Sequence, residues 1–95
     1  MGYTVRDTIR QFLEILVKIL DMNERGSAPT IGDISGMVKT HRSVVSRYIR
    51  AMQDLGVVEA EALPGIPRRV GYRLKQEAIE MARAARKILG GGGSD

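Results

Sequence analysis

The sequence has no cysteine, no tryptophan and a single histidine, His41. Without cysteine there is no disulfide framework, no thiolate zinc site and no cysteine nucleophile. One histidine leaves no histidine pair for a metal and no evident Ser-His relay. Only four aromatics occur, Tyr3, Phe12, Tyr48 and Tyr72. They are too few for a surface on which single-stranded bases stack. Long hydrophobic runs are also missing. Glu14 and Lys18 interrupt the best one, so nothing approaches the ~18 apolar residues of a membrane span. Met1 to Asp7 lacks the basic-then-apolar pattern of a signal peptide. The expectation is a cytoplasmic, non-enzymatic domain with no membrane partner and no cofactor.

What is present is enough for one core. The chain has 95 residues, 43% of them hydrophobic, which suits a single domain. Its net charge is +4, and that charge is unevenly spread. Lys39, Arg42, Arg47 and Arg50 form one basic island with no acid between residues 39 and 50. Arg68, Arg69 and Arg73 form a second between residues 64 and 73. The intervening stretch carries Asp54, Glu59 and Glu61.

Helix and turn signals then follow in order. Thr4 with Asp7 reads as an N-cap with an acidic first turn. Apolar residues recur at helical spacing from Val5 through Ile9, Phe12, Leu13 and Leu16 to Leu20. The arc also takes in Ile15, Val17 and Ile19, wider than the usual ~100° core stripe. A central core helix explains such an arc, and so does a dimer interface. Gly26 is a helix stop. Thr30 with Asp33 caps a short helix through Val38, with Ile34, Met37 and Val38 inward. A third helix runs from Arg42 to about Leu55. Val45, Ile49, Met52 and Leu55 form its apolar face, and Arg42, Ser43, Ser46, Arg47 and Arg50 its polar one. Residues 57–62 and 68–74 read as two strands around the turn Leu63-Pro64-Gly65-Ile66-Pro67. A last helix spans Gln76 to Leu89. Its soft face is Ala78, Met81, Ala82, Ala85, Ile88 and Leu89. Residues 1–89 thus make one domain, and residues 90–95 a flexible glycine-rich tail. The fold class is mainly α with a small β-hairpin.

The order of elements and the stretch Ile34 to Val58 resemble a winged helix-turn-helix domain. The match runs through Val45-Ser46-Arg47-Tyr48-Ile49 and Leu55-Gly56-Val57-Val58 to the closing Tyr72-Arg73-Leu74. This pattern is similar to that of MarR- and ArsR-type regulators of bacteria and archaea. It covers residues 30–74. Lys39 stands where the family usually has glycine, Thr40 where it has an apolar residue, and His41 at the usual serine cap. The resemblance implies a homodimeric transcriptional regulator associated with the nucleoid, binding double-stranded DNA with the third helix in the major groove. Arg47 then forks onto guanine and Val44 meets a thymine methyl. Ser43 and Ser46 share that face. Lys39 and Arg50 reach phosphates, with Arg42 at the helix start, and His41 is either a solvent-exposed residue or a further phosphate contact. Arg68 and Arg69 at the wing tip reach the adjacent minor groove or its backbone. The implied dimer uses Phe12, Ile15 and Ile19 with Met81, Ala85 and Ile88. A protein-docking module, or a non-specific chromatin- or replication-associated DNA binder, is the alternative. No small-molecule effector is evident.

Overall fold

A computed structural model describes residues 4–91. The elements are α1 (Val5–Glu24), α2 (Ile31–Val38), α3 (Arg42–Asp54), β1 (Val58–Leu63), β2 (Arg69–Leu74) and α4 (Gln76–Gly91). The expected order holds. Helix α4 runs two residues past the expected end at Leu89, and the rest of the glycine-rich stretch lies outside the described residues. Among the described residues, no helix is long and apolar enough to cross a membrane.

Local chemistry sets the boundaries. Both α1 and α2 open with reciprocal capping boxes. The Thr4 and Thr30 hydroxyls accept from the Asp7 and Asp33 amides at 3.1 and 3.0 Å. Each aspartate accepts in return from the cap residue's own amide, so two of the orphan N–H groups at each helix start are satisfied. Gly26 and Gly56 follow α1 and α3 with φ of 87° and 77°, the left-handed geometry that ends helices there.

The core gathers on the second half of α1. Ile15, Leu16, Ile19 and Leu20 meet Ile34 of α2, Val45, Ile49 and Met52 of α3, Val58 and Leu74 of the hairpin, and Ala82 of α4. The wide apolar arc of α1 is therefore core over residues 15–20, whereas Val5 and Ile9 at its start are exposed. Ile15 and Ile19 are 0% exposed within the single chain and Ala85 is 3%, so none of the three can face a second copy as expected. The α4 face that packs on α1 is the small-residue row Ala78, Ala82 and Ala85. Met81 and Ile88, expected on that soft face, point outward instead. Leu55 also departs from expectation. The helix ends at Asp54, so Leu55 leaves the apolar row and is 69% exposed.

The hairpin pairs antiparallel with Val58 opposite Leu74 and Leu63 opposite Arg69. Val70 alternates onto the same side of β2 as Tyr72 and Leu74 but is exposed, because the outer half of the hairpin projects beyond the core. Behind β2 runs the Ala28–Pro29 segment. The Tyr72 amide donates to the Pro29 carbonyl at 3.0 Å. At Gly71 a Cβ would stand 2.2 Å from the Ala28 carbonyl oxygen. Only glycine permits this approach. The Ile66–Pro67 peptide at the turn is cis.

Candidate nucleic-acid interface

Two helices and a tight turn position the first basic island. Lys39 ends α2 in the left-handed region, with φ 56° and ψ 48°. This is the conformation for which glycine is the usual choice, and a lysine adopts it here at some cost. The Thr40 amide donates to the Ser35 carbonyl at 3.2 Å, and the Ser35 hydroxyl donates to the Thr40 carbonyl. Thr40, polar where an apolar residue is usual, has a partner for its hydroxyl. The Gln11 side-chain amide of α1 donates to it at 2.8 Å.

Helix α3 starts differently from α1 and α2. It has no side-chain cap hydrogen bond and no acid in its first turn. His41 sits at the N-cap, and its Nδ1 lies 3.2 Å from the Ser43 hydroxyl. The positive end of the helix dipole is therefore not offset by a carboxylate of its own first turn. At 100° per residue, Arg47 lies opposite the buried row Val45, Ile49 and Met52, with Ser43 and Arg50 beside it. All three are exposed. Val44 and Ser46 are half-buried at the two edges of this face. Tyr48 packs edge-on against Phe12 with ring centroids 6.3 Å apart. Its hydroxyl donates to the Thr8 carbonyl at 3.4 Å. Phe12 is thereby half-covered by its own chain.

Arg42 leans away from the outward face. Its guanidinium lies over Gly32, where a Cβ would come within 2.9 Å of Nη2. Together with Arg69 it lines a cleft of about 500 Å³ between Thr30–Asp33 at the start of α2, α3 and the turn end of β2. The two basic islands meet at this cleft. Lys39 stands apart from it. It lines a second cleft, of about 410 Å³, between α1, α4 and the turn, with Arg10, Lys18 and Arg86. Arg68 is exposed at the end of the hairpin. Arg73 is half-buried and paired with Glu61 across the hairpin, so the second island offers two arginines outward, not three.

The remaining ion pairs frame the fold. Arg86 of α4 reaches Asp21 and Glu24 of α1 at 2.9 and 2.8 Å. The hydrogen bond from Arg86 holds the Glu24 carboxyl below its ordinary value of 4.5, against the smaller opposing effect of burial. The hydrogen bonds to Glu24 and then to Asp21 raise the Arg86 guanidinium in turn. Among the described residues, Lys39, Arg42, Arg47, Arg50, Arg68 and Arg69 form no ion pair. Other unpaired cations, Arg6, Lys18, Arg25, Lys75 and Lys87, are scattered along α1, α4 and their ends. Nor, among the described residues, do three potential metal ligands come together.

Sequence reasoning missed the residues that hold these elements in place. Asn23, in the last turn of α1, donates from its amide to the Ser27 and Tyr72 carbonyls at 2.8 and 3.2 Å. Its carbonyl accepts from the Leu74 amide at 2.9 Å. It ties the end of α1 to the wing. Gln11 ties α1 to the turn in the same way. Neither has a local signal for these ties, because Tyr72, Leu74 and Thr40 are distant in sequence. Gly71 had one: a glycine inside a strand marks close backbone approach.

Three helices, a two-stranded wing and a last helix, with α2 and α3 joined by a tight turn, are the winged helix-turn-helix fold. No protein-family model matches the sequence, and no curated protein matches it. Solved structures do. AF1382 from Archaeoglobus fulgidus is similar over 88% of this chain and 89% of its own, with 26% identity and a TM-score of 0.74. The transcriptional repressor BigR from Xylella fastidiosa is similar over 86% of this chain and 77% of its own, at 16% identity and a TM-score of 0.61. A point mutant of ZitR from Lactococcus lactis is similar over 75% of this chain, at 15% identity and a TM-score of 0.64. The match spans 47% of the ZitR chain.

Proposed function

We propose that this protein binds double-stranded DNA as a homodimer and regulates transcription. Helix α3 enters the major groove, and the wing lies on the adjacent minor groove or its backbone. The observation that carries this reading is the cationic face itself. Among the described residues, Arg47 and Arg50 of α3, Arg42 and Arg69 at the cleft and Arg68 at the wing form no ion pair, although Asp33 also lines that cleft. They lie on the two elements that a winged helix presents to a duplex. The uncapped, acid-free start of α3 adds the positive end of its dipole on the same side. BigR, a transcriptional repressor, has the same fold.

Roles follow from placement. Arg47, at the centre of the outward face, has the geometry to fork onto guanine O6 and N7. Arg50, Arg42 and Arg69 fit phosphates, as does Arg68. Lys39 is the weakest member of the set, because it faces the cleft behind the turn. The surface for a second copy is the apolar cleft formed by Val5, Ile9 and Leu13 of α1 with Ile88 and Leu89 of α4. Val5 and Ile88 are 77% and 70% exposed there. This keeps the first and last helices as the dimer elements but moves the contact to the N-terminal half of α1. Two copies would place their recognition helices on half-sites one DNA turn apart, about 34 Å.

The test is selection of bound duplexes from a random pool, followed by anisotropy titration of the recovered site. A palindromic site whose binding is lost in the double variant Arg47→Ala, Arg50→Ala is expected. Full binding by that variant would assign the duplex to another surface.

A further inference from the structure

The wing ends in an apolar apex. Ile66 is 101% exposed and sits between Pro64-Gly65 and Pro67. A lone isoleucine on a protein surface needs no explanation. This one differs in its setting. Turn apices are usually polar, whereas residues 63–67 are Leu-Pro-Gly-Ile-Pro. Directly behind the apex come Arg68 and Arg69, both exposed and unpaired among the described residues. An apolar point backed by two guanidinium groups is the chemistry of a minor-groove wedge. The arginines suit the groove's negative potential, and the apolar side chain slips between base pairs.

We propose that Ile66 is such a wedge: it enters the minor groove beside the α3 contact, partly unstacks one base step and bends the bound DNA. This rests on the DNA-binding reading above and goes beyond it. The dimensions fit. Each wing strand has six residues, which rise about 20 Å. The minor groove next to a major-groove contact lies half a DNA turn away, roughly 17 Å or five base pairs. Pro64 and Pro67 each fix one φ angle of the apex, so little conformational freedom is lost on insertion. A membrane surface is a poor occupant. Even one myristoyl chain gives only marginal anchoring, and a single isoleucine side chain has far less apolar surface. The wedge also predicts a sequence preference that no base-edge contact creates. Pyrimidine–purine steps such as TA and CA unstack most easily, so one should recur about five base pairs from the centre of the α3 contact.

The experiment uses the full chain and the duplex recovered from random-pool selection, labelled at both ends for energy transfer. A 2-aminopurine reports stacking at the step five base pairs out. The wild type is expected to bend the duplex by at least about 20° and to brighten the 2-aminopurine. Ile66→Ala removes both signals. It leaves the melting temperature and the salt dependence unchanged, because Ile66 is fully exposed and the cations remain. Ile66→Lys also abolishes the bend but steepens the salt dependence. A straight wild-type complex, or Ile66→Ala bending DNA as the wild type does, overturns the wedge while leaving DNA binding intact. Failure of the wild type to bind any duplex overturns both proposals. Wild-type binding to phosphatidylcholine vesicles that Ile66→Ala abolishes would assign the apex to lipid and likewise overturn the wedge.

Discussion

Salt dependence is the most direct quantitative consequence of the cationic face. Each phosphate neutralised on duplex DNA releases condensed counterions, and log K falls with log salt at a slope of about −0.9 per contact. The proposed interface gives the number of contacts. Arg42 and Arg69 share the cleft, Arg50 flanks Arg47, and Arg68 is at the wing. With Arg47 assigned to a base edge, four phosphate contacts remain per protomer, a slope of about −3.6, or about −7 for the dimer. Raising salt from 50 to 200 mM should then weaken binding roughly 150-fold per protomer and on the order of 10⁴-fold for the dimer. Fluorescence anisotropy on a labelled 30-base-pair duplex, repeated at five salt concentrations, measures the slope. Arg50→Gln should reduce the dimer slope by about 1.8. Lys39→Gln should change it far less, since Lys39 lines the other cleft. Lys87→Gln on α4 is the distant control. A slope near zero, or one that Arg50→Gln leaves unchanged, refutes the assignment of this face to DNA.

Three further outcomes follow from the packing. Gly71→Ala puts a Cβ 2.2 Å from the Ala28 carbonyl. It should destabilise the fold by about 1–3 kcal/mol through overpacking and about 1 kcal/mol more if the Tyr72–Pro29 hydrogen bond breaks; urea melts followed by circular dichroism check this. Ile88→Asp places a charge in the exposed apolar cleft. It should raise the dimer dissociation constant at least about a hundredfold, because a symmetric interface loses the burial twice; light scattering at micromolar concentration reads it, and an unchanged dimer moves the interface elsewhere. Finally, the Arg86 hydrogen bond lowers the folded-state value of Glu24 below 4.5. Its contribution is therefore fully present above that pH and is lost as pH falls through the lower folded-state value. Arg86→Ala should flatten the corresponding part of the acid side of a stability–pH curve, and a curve of unchanged shape assigns the acid loss to other carboxylates.

The fold was legible because its signals are local. Thr4 with Asp7 and Thr30 with Asp33 place helix starts within one turn, and Gly26 and Gly56 mark ends. The alternation in β2 and the proline-rich turn mark the hairpin. What could not be read was which apolar residues face the chain's own core. The α1 wheel has apolar residues on most sides, and periodicity alone does not say which neighbour covers each one. Ile15 and Ile19, expected at a dimer face, are buried in the core, while Val5 and Ile9 carry the exposed surface. The basic residues show the same limit. Their clustering along the chain is visible, but Arg73's pairing with Glu61 and Arg42's position over Gly32 depend on strand register and helix crossing.

The placement of α1 connects the proposed dimer to the proposed DNA contacts. Its N-terminal half lines the cleft proposed to receive a second copy. Gln11, next in line, holds the turn before α3 through Thr40. Residues 15–20 form the centre of the core, and Asn23 at its far end holds the wing through the backbone of Tyr72 and Leu74. One 20-residue helix spans about 30 Å and touches the proposed dimer surface, the turn before α3 and the wing. A change in how two copies pack would therefore displace both DNA-reading elements together. Half-site spacing and wing position should vary as one quantity, set by how the α1–α4 clefts of two copies pack.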